Sequence, residues 1–426
     1  MTIDDVLNLR IEKPAAGGRM IARCDGQVVL VAGAIPGEQV RARVERVERS
    51  LAYATVLEVL EPHPSRRPVS HDSRCGGAAY GHIDCAHQRV LKALVVKDAL
   101  ARLGHLDWNI PIPVAASPER GYRMRARVHL RDGRVGFFLE GTHQLCDAGG
   151  TGQLLDATGP AVAGVVVELR RQGLDADADL EISENVPGDQ RAIHVEFDAG
   201  THVHKSAAWR LVSGVTGLSW SRLGVQGDHV VAGDATVIDI VDVSEKDGST
   251  LPVRWQRHVR AFFQGNRFLL APLVRHVLSQ CPAGPVIDLY AGVGLFGVAL
   301  AATGRHHVVA VEGYSAAASD LRINATPYVA AIEVHELSVE RFVLSTRRAA
   351  PCTIVLDPPR SGMTQAAVAG AVALGAERVV FVSCDVATFA RDVRRFVDAG
   401  YRLDRLDGFD LFPNTPHVEV VAVLVR

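Results

Sequence analysis

Residues 286–300 read VIDLYAGVGLFGVAL, and this stretch decides the fold of the C-terminal part of the chain. An apolar run ends at Asp288, and glycines at 292, 294 and 297 open a predicted helix. Such glycines let a ligand approach the backbone closely at the carboxyl end of a buried strand. Their G-x-G-x-x-G spacing also fits a dinucleotide site, so the glycines alone do not discriminate. Asp288 and the Tyr290-Ala291 pair are more typical of an S-adenosylmethionine site.

Strand and helix patterns alternate on both sides of this segment, from about residue 255 onward. Apolar runs such as VVAVEG, TIVLDPP and RVVFVSCD are separated by stretches with helical periodicity. This alternation predicts an α/β domain with a parallel sheet and helices on both faces. The last apolar run, VEVVAVLVR, follows a loop and is expected as an edge or inserted strand.

The N-terminal half has a different pattern. Residues 1–61 alternate short β-branched runs with turns, which predicts a small β-barrel. HPSRRP at 63–68 reads as a linker, residues 88–104 as a helix that packs on the C-terminal domain, and residues 120–240 as short strands. We therefore expect three domains: the barrel at 1–61, a β-rich central domain at 65–245 and the α/β domain at 250–426.

Composition excludes several classes of protein. Lys plus Arg number 46 against 48 Asp plus Glu, and the net charge of -2 argues against a purely electrostatic nucleic-acid binder. No apolar stretch has the length of a membrane span, and the N-terminus does not resemble a secretory signal. Seven scattered cysteines then predict reduced thiols in a cytoplasmic protein, which we expect to be a monomer.

Two carboxylates follow predicted strands of the α/β domain. Glu312 ends the strand after the glycine turn, about 20 residues beyond Gly292, where an acidic side chain can bind both hydroxyls of an adenosine ribose. Asp357, in IVLDPPRSGM (354–363), ends a later apolar strand and precedes two prolines that make the backbone rigid. Asp357 is therefore expected to line a pocket between cofactor and substrate, although Asp-Pro-Pro also occurs in simple turns.

Cys384 is the candidate nucleophile. It follows the apolar run VVFV and precedes a helix expected to begin near Thr388. A helix N-terminus lowers the pKa of a thiol, so this position favours the thiolate. The alternative is a buried, inert cysteine, and we interpret Cys24, Cys85, Cys146, Cys281 and Cys352 as structural.

Glu419 lies just inside the last apolar run, after the loop FPNTP. A carboxylate on an apolar strand is costly unless it has a partner or a function. The pattern alone fits a proton acceptor and an outward-facing charge on an edge strand equally well.

Together these segments resemble the RNA uracil-5 methyltransferase family. FFQGN (262–266), DLYAGVGLF, DPPRSG, SCDVATFARD and FPNTPHVE match its motifs in order, and VAGAIPGEQVRARV resembles the signature of the RNA-binding TRAM barrel. The resemblance covers nearly the whole chain. It implies a Rossmann-like class I S-adenosylmethionine methyltransferase domain behind an OB-like barrel, and 5-methyluridine in structured RNA as the product.

The resemblance also implies roles for individual residues. Carbon 5 of uracil is a weak nucleophile until a thiolate adds at carbon 6, and a base must later remove the carbon-5 proton. Cys384 matches the family nucleophile and Glu419 the family base. The positions expected to contact S-adenosylmethionine are Gln264, Tyr290, Gly292, Glu312 and Asp357.

One departure concerns an iron–sulfur cluster that many members hold with four cysteines. Cys75 fits one ligand position, but Val69, Ala78 and Thr151 stand at or near the other three. We therefore predict no cluster, with Cys75 as a remnant or a plain structural thiol. No zinc-site spacing is present either.

Several alternatives stay open. The barrel favours 23S rRNA as the substrate, whereas the missing cluster ligands leave tRNA open. A methyltransferase acting on an amino group would not need Cys384 or Glu419, and a non-catalytic RNA-binding protein would not need any of the reactive residues. Six arginines are candidates for phosphate contacts or for ordinary solvated strand faces: Arg41, Arg43, Arg46, Arg123, Arg125 and Arg127.

Overall fold

The computed structural model describes residues 1–69, 72, 74–203, 208–225, 227–243, 250–346 and 353–426. Its N-terminal strands close a five-stranded barrel in the order β1-β2-β3-β5-β4. They are β1 (Val6–Pro14), β2 (Met20–Cys24), β3 (Gln27–Ala32), β4 (Gln39–Val47) and β5 (Leu51–Glu61). Alternate residues point inward, so side chains such as Leu9, Val29 and Val40 fill the interior.

The predicted linker is tied to the barrel. Arg66 donates to both carboxylate oxygens of the fully buried Glu38 at 2.6 and 2.7 Å, and to the carbonyl of Gly33 at 2.7 Å. A buried carboxylate needs such partners, and burying this one fixes the chain where it leaves the barrel.

The central part combines one long helix with a seven-stranded sheet of order β13-β12-β11-β10-β7-β8-β9. In chain order the elements are α1 (Cys85–Arg102), β6 (Val114–Ala115), β7 (Arg125–Arg131), β8 (Arg134–Phe138), β9 (Leu145–Cys146), α2 (Thr158–Arg171), β10 (Ala178–Glu184), β11 (Arg191–Phe197), β12 (Gly217–Arg222) and β13 (His229–Gly233). Helix α2 packs on one face of this sheet. Helix α1 instead buries Val96, Ala99 and Leu100 in a core that it shares with the C-terminal part.

The C-terminal part begins with a hairpin and continues as an α/β unit. Its elements are β14 (Thr236–Asp242), β15 (Pro252–His258), α3 (Leu270–Gln280), β16 (Gly284–Leu289), α4 (Leu295–Ala302), β17 (His306–Val311), α5 (Ser315–Ala325), β18 (Ile332–His335), α6 (Val339–Ser345), β19 (Thr353–Leu356), α7 (Gln365–Leu374), β20 (Arg378–Ser383), α8 (Val386–Asp398), β21 (Arg402–Phe409) and β22 (Glu419–Val425).

The sheet of this unit has eight strands in the order β18-β17-β16-β19-β20-β22-β21-β6. Neighbours from β18 to β20 are parallel, whereas β22 is antiparallel to both β20 and β21. Helices cover both faces, which confirms the predicted fold class. The last apolar run is an inserted strand rather than an edge strand, and the edge position belongs to β6 from the central part.

The prediction that the cysteines are reduced thiols is wrong for two of them. Cys75 and Cys146 form a disulfide with a Cα–Cα distance of 5.8 Å, although 71 residues separate them in the chain. The β8–β9 hairpin brings them together, because the amide of Gly76 donates to the carbonyl of Phe138 at 3.1 Å. Cys75 is therefore not a plain thiol. Cys24, Cys85, Cys281 and Cys384 are free, and Cys352 lies outside the described residues.

We expect the double variant Cys75→Ser/Cys146→Ser to be less stable by about 2–4 kcal/mol than the oxidised protein, because the disulfide closes a long loop in the unfolded chain. Urea unfolding with and without a reductant measures this difference. Cys24→Ser, which changes a free cysteine, serves as the control. A wild-type midpoint that does not respond to the reductant would contradict the prediction.

Candidate active site

The predicted reactive residues lie together at the end of the sheet that is formed by the carboxyl ends of its parallel strands. Strands β19 and β20 are parallel and end there, and the antiparallel β22 begins there. Ser383 lies beside Val420, so the next residues outward, Cys384 and Glu419, lie opposite each other across the β20–β22 pair. Asp357 follows directly on β19, the other neighbour of β20.

Glu312 and Gly292 meet at the carboxyl ends of β16 and β17. The Glu312 carboxylate accepts from the amide of Gly292 at 2.8 Å and from that of Tyr314 at 2.6 Å. A carboxylate offers about four lone-pair positions, so each oxygen can still accept a hydroxyl. The pair therefore fits the ribose of a nucleoside cofactor.

The glycine turn is shaped by its surroundings. Asp288 is fully buried, and one of its oxygens accepts from the amide of Gly297 at 2.8 Å, while burial raises the pKa of this carboxyl to about 8. Gly294 has a φ of +91°, and a Cβ there would lie 2.5 Å from the side chain of Val298. Tyr290 itself adopts a left-handed φ of +63° where the chain leaves β16. The turn therefore leaves the backbone at the carboxyl end of β16 accessible to a ligand.

Gln264 and Asp357 are in contact. The Gln264 side-chain amide donates to Asp357 Oδ2 at 3.4 Å, and Gln264 is buried. Burial raises the pKa of Asp357 to about 7, against a weaker opposing effect of the Gln264 hydrogen bond. Asp357 thus contacts Gln264 and is close enough to Cys384 and Glu419 for its charge to raise the pKa of both.

The environment of Cys384 contradicts the predicted low pKa. Burial raises the pKa of the thiol to about 12, and the charges of Glu419 and Asp357 add to this shift. The helix N-terminus does not offset it, because Asp385 already accepts from the amides of Ala387 and Thr388 at 3.1 and 2.8 Å. The helix begins at Val386 and is capped by Asp385, the residue directly after Cys384.

Glu419 is buried, and among the described residues its Oε1 atom has no hydrogen-bond partner. Burial, and then the charge of Asp357, raise the pKa of Glu419 well above its usual value. Because β22 is flanked by strands on both sides, the alternative of an outward-facing charge on an edge strand is wrong. An unpartnered carboxyl of raised pKa beside a thiol fits a proton acceptor.

Arg360 is a site residue that the sequence reasoning did not single out. The charge of its guanidinium, and then hydrogen bonding to the sulfur, lower the pKa of the Cys384 thiol, and the same charge lowers the pKa of Glu419. It is the Arg of DPPR, three residues after Asp357. Its place in this motif is the sequence feature from which Arg360 could have been predicted as a site residue.

The six candidate arginines separate into two groups. Those on exposed strand faces contact nearby side chains, as in Arg41 with Glu58, Arg46 with Tyr53 and Arg127 with Glu181. Arg123 and Arg125 lie deeper, near the site. Burial and the charge of Arg257 lower the pKa of Arg125 to about 10, and its guanidinium lies 5.6 Å from the ring centre of Phe262.

Two further properties concern metals and membranes. Within the described residues, no group of three or more His, Cys, Asp or Glu side chains is arranged to hold a metal ion. In the same part of the chain, no helix combines the length and apolarity needed to cross a membrane.

A largely parallel sheet with a glycine turn after β16 and a ribose-type carboxylate after β17 defines the class of α/β folds that bind a nucleoside-bearing cofactor. The tRNA (Uracil-5-)-methyltransferase family profile matches residues 252–426, and the TRAM domain profile matches residues 3–57. These matches agree with the sheet and the barrel described above.

Curated relatives match over nearly the whole chain. A 23S rRNA (uracil(1939)-C(5))-methyltransferase RlmD of Pseudomonas entomophila is 31% identical over 97% of this chain and 92% of its own length. The RlmD of Halomonas elongata is 32% identical over 98% and 89%. The solved tRNA (uracil-54, C5)-methyltransferase of Pyrococcus abyssi has the same fold, with a TM-score of 0.74, 22% identity and coverage of 98% and 99%.

The chain therefore belongs to the RNA uracil-5 methyltransferase family, whose methyl donor is S-adenosylmethionine.

Proposed function

We propose that this enzyme methylates carbon 5 of one uridine in structured 23S rRNA, through a covalent adduct between Cys384 and carbon 6. The observation that carries the proposal is the placement of Cys384 opposite Glu419, with Asp357 on the neighbouring strand. The RlmD relatives support the rRNA substrate by name.

In the first step the Cys384 sulfur forms a bond to carbon 6 and the electron pair moves toward carbon 5. The thiol proton passes to solvent water as the thiolate forms, and Arg360 favours the thiolate by its charge and then by its hydrogen bond. Gln264, Tyr290, Gly292, Glu312 and Asp357 would hold S-adenosylmethionine, which supplies an electrophilic methyl group when bound.

In the last step Glu419 accepts the proton of carbon 5. The electrons of the C–H bond restore the ring double bond, and the bond between carbon 6 and sulfur breaks. A raised pKa makes Glu419 a stronger proton acceptor once it is ionised. A base inside folded RNA must first leave its stack to reach the half-buried Cys384 and the buried Glu419.

A methyl-transfer assay tests the proposal. The protein receives labelled S-adenosylmethionine with an unmodified 23S rRNA fragment containing uracil 1939, or with tRNA transcripts. We expect 5-methyluridine in the rRNA digest. If 5-methyluridine forms in tRNA alone, the proposed rRNA substrate is wrong and tRNA is the substrate. If the label appears on an atom other than carbon 5 of uracil, the proposed reaction is wrong.

Three further predictions concern the whole protein: its division into three domains, its monomeric state and its cytoplasmic location. Limited proteolysis, sedimentation and cell fractionation, respectively, test them.

Arg125 is expected to contact an RNA phosphate, since its side chain is only half-buried and its guanidinium lies 5.6 Å from the ring centre of Phe262, in the FFQGN segment. Arg125→Ala should weaken binding to all RNA sequences alike and reduce the slope of log affinity against log salt by about 1. Binding titrations at several salt concentrations measure this slope. Arg134→Ala, an exposed arginine on β8, is the control, and an unchanged slope for Arg125→Ala would refute the contact.

A further inference from the structure

The loop of residues 410–418, which connects β21 to Glu419, is held by residues from the central part of the chain. The amide of Asn414 donates to Gln88 Oε1 at 2.8 Å, and Gln88 Nε2 donates back to Asn414 Oδ1 at 2.9 Å. The amide of Tyr80 donates to the Asn414 carbonyl at 2.8 Å. A residue of α1 therefore pairs with both the backbone and the side chain of the loop.

More side chains converge on the same asparagine. Arg67 donates to Asn414 Oδ1 at 2.6 Å, and Asn414 Nδ2 donates to Glu119 at 3.3 Å. Asn414 is buried and has a left-handed φ of +64°, a conformation that asparagine tolerates. Among the described residues, the partners of its side chain are Arg67, Gln88 and Glu119, which lie outside the parallel sheet.

One turn along α1, a buried ion pair makes a second attachment. Lys92 donates to Asp410 and, at 3.1 Å, to the carbonyl of Phe412. Both charged side chains are almost completely buried, at 0% and 2% exposure. A buried ion pair contributes little net stability compared with apolar packing. What matters here is that the pair fixes one arrangement of the loop relative to α1.

Helix α1 also contacts the element next to the nucleophile. Its residues Val96, Ala99 and Leu100 pack in one core with Phe389 of α8, the helix that begins two residues after Cys384. One helix thus touches the loop that ends at Glu419 and the helix that follows Cys384.

We infer that Gln88 and Asn414 are positioning residues, which set the Glu419 carboxyl relative to Cys384 so that α1 controls the proton-removal step. The inference rests on the proposed function, because it needs a covalent intermediate that Glu419 resolves. Misplacing a base by about 1 Å can reduce a rate by about 100-fold. The addition of Cys384 and the methyl transfer do not use Glu419 as the base, so they should be affected much less.

The test uses Asn414→Gly, since glycine keeps the left-handed backbone and removes only the side-chain contacts. Gln88→Leu removes the hydrogen-bonding partner of Asn414 and replaces it with a side chain of similar volume. If Asn414→Gly does not fold, this second variant tests the inference. The control is Asn185→Ala, because Asn185 is also buried and its side chain forms four hydrogen bonds, to Asp189, Ile238, Gly188 and Gln190.

Multiple-turnover rates of both variants should fall about 10–100-fold, while the first turnover still labels the RNA. A protein–RNA adduct that survives denaturing gels should accumulate. Asn185→Ala should unfold at a lower temperature without accumulating adduct. If Glu419→Gln traps adduct and neither variant does, the inference is wrong and the proposed function stands. If wild type gives no 5-methyluridine and Glu419→Gln traps no adduct, the proposed function fails and the inference fails with it.

Discussion

Cys384→Ala should abolish 5-methyluridine formation, with a loss of roughly 10⁴–10⁶-fold in turnover. Without the sulfur, carbon 5 remains a poor nucleophile, and no other described free cysteine lies at this edge of the sheet. The measurement is methyl incorporation from labelled S-adenosylmethionine into RNA, followed by nucleoside analysis.

Cys281→Ala is the matched control, because Cys281 is also free but is buried at the end of α3. It should retain activity. Binding of S-adenosylmethionine should survive in both variants, since the cofactor positions are unchanged. Activity that persists in Cys384→Ala would favour methylation of an amino group, which requires no thiol.

Glu419→Gln should stop the reaction after methyl transfer and trap the protein on its RNA. Glutamine occupies nearly the same volume but cannot accept the carbon-5 proton, so the carbon–sulfur bond cannot break. Turnover should fall by about 10²–10⁴-fold, the usual contribution of a general base. A denaturing gel of protein mixed with labelled RNA and S-adenosylmethionine should show a shifted band.

The pH dependence supplies a second readout for the same residue. Burial raises the pKa of Glu419 well above its usual value and that of Asp357 to about 7, so Glu419 takes up its proton at a higher pH than an ordinary glutamate and Asp357 does so near neutrality. The wild-type rate should therefore decrease on the acidic side. A Glu419→Gln protein that turns over normally, or that never forms the band, would contradict the assigned role.

Much of the site was predictable because its residues directly follow apolar strands. Carboxyl ends of parallel strands share one edge, so Glu312, Asp357 and Cys384 could be placed together from the order of strands. Glu419 required the family motif, because an isolated carboxylate on a strand does not reveal whether that strand is inserted.

The pKa of Cys384 was predicted wrongly for a physical reason. The prediction used only the local sequence, where a helix N-terminus follows the thiol. The opposing charges of Glu419 and Asp357 come from strands that are distant in the chain. The disulfide between Cys75 and Cys146 and the edge position of β6 were missed for the same reason, since each depends on contacts between distant segments.

The position of β22 also constrains the order of assembly. During synthesis β21 emerges before β22. In the finished sheet, however, β22 lies between β20 and β21, so β21 cannot join the sheet before β22 has paired with β20. Until then β20 presents an unpaired apolar edge, the kind of surface that associates with other nascent chains. We therefore expect the segment that carries the proposed base also to protect the growing sheet from aggregation.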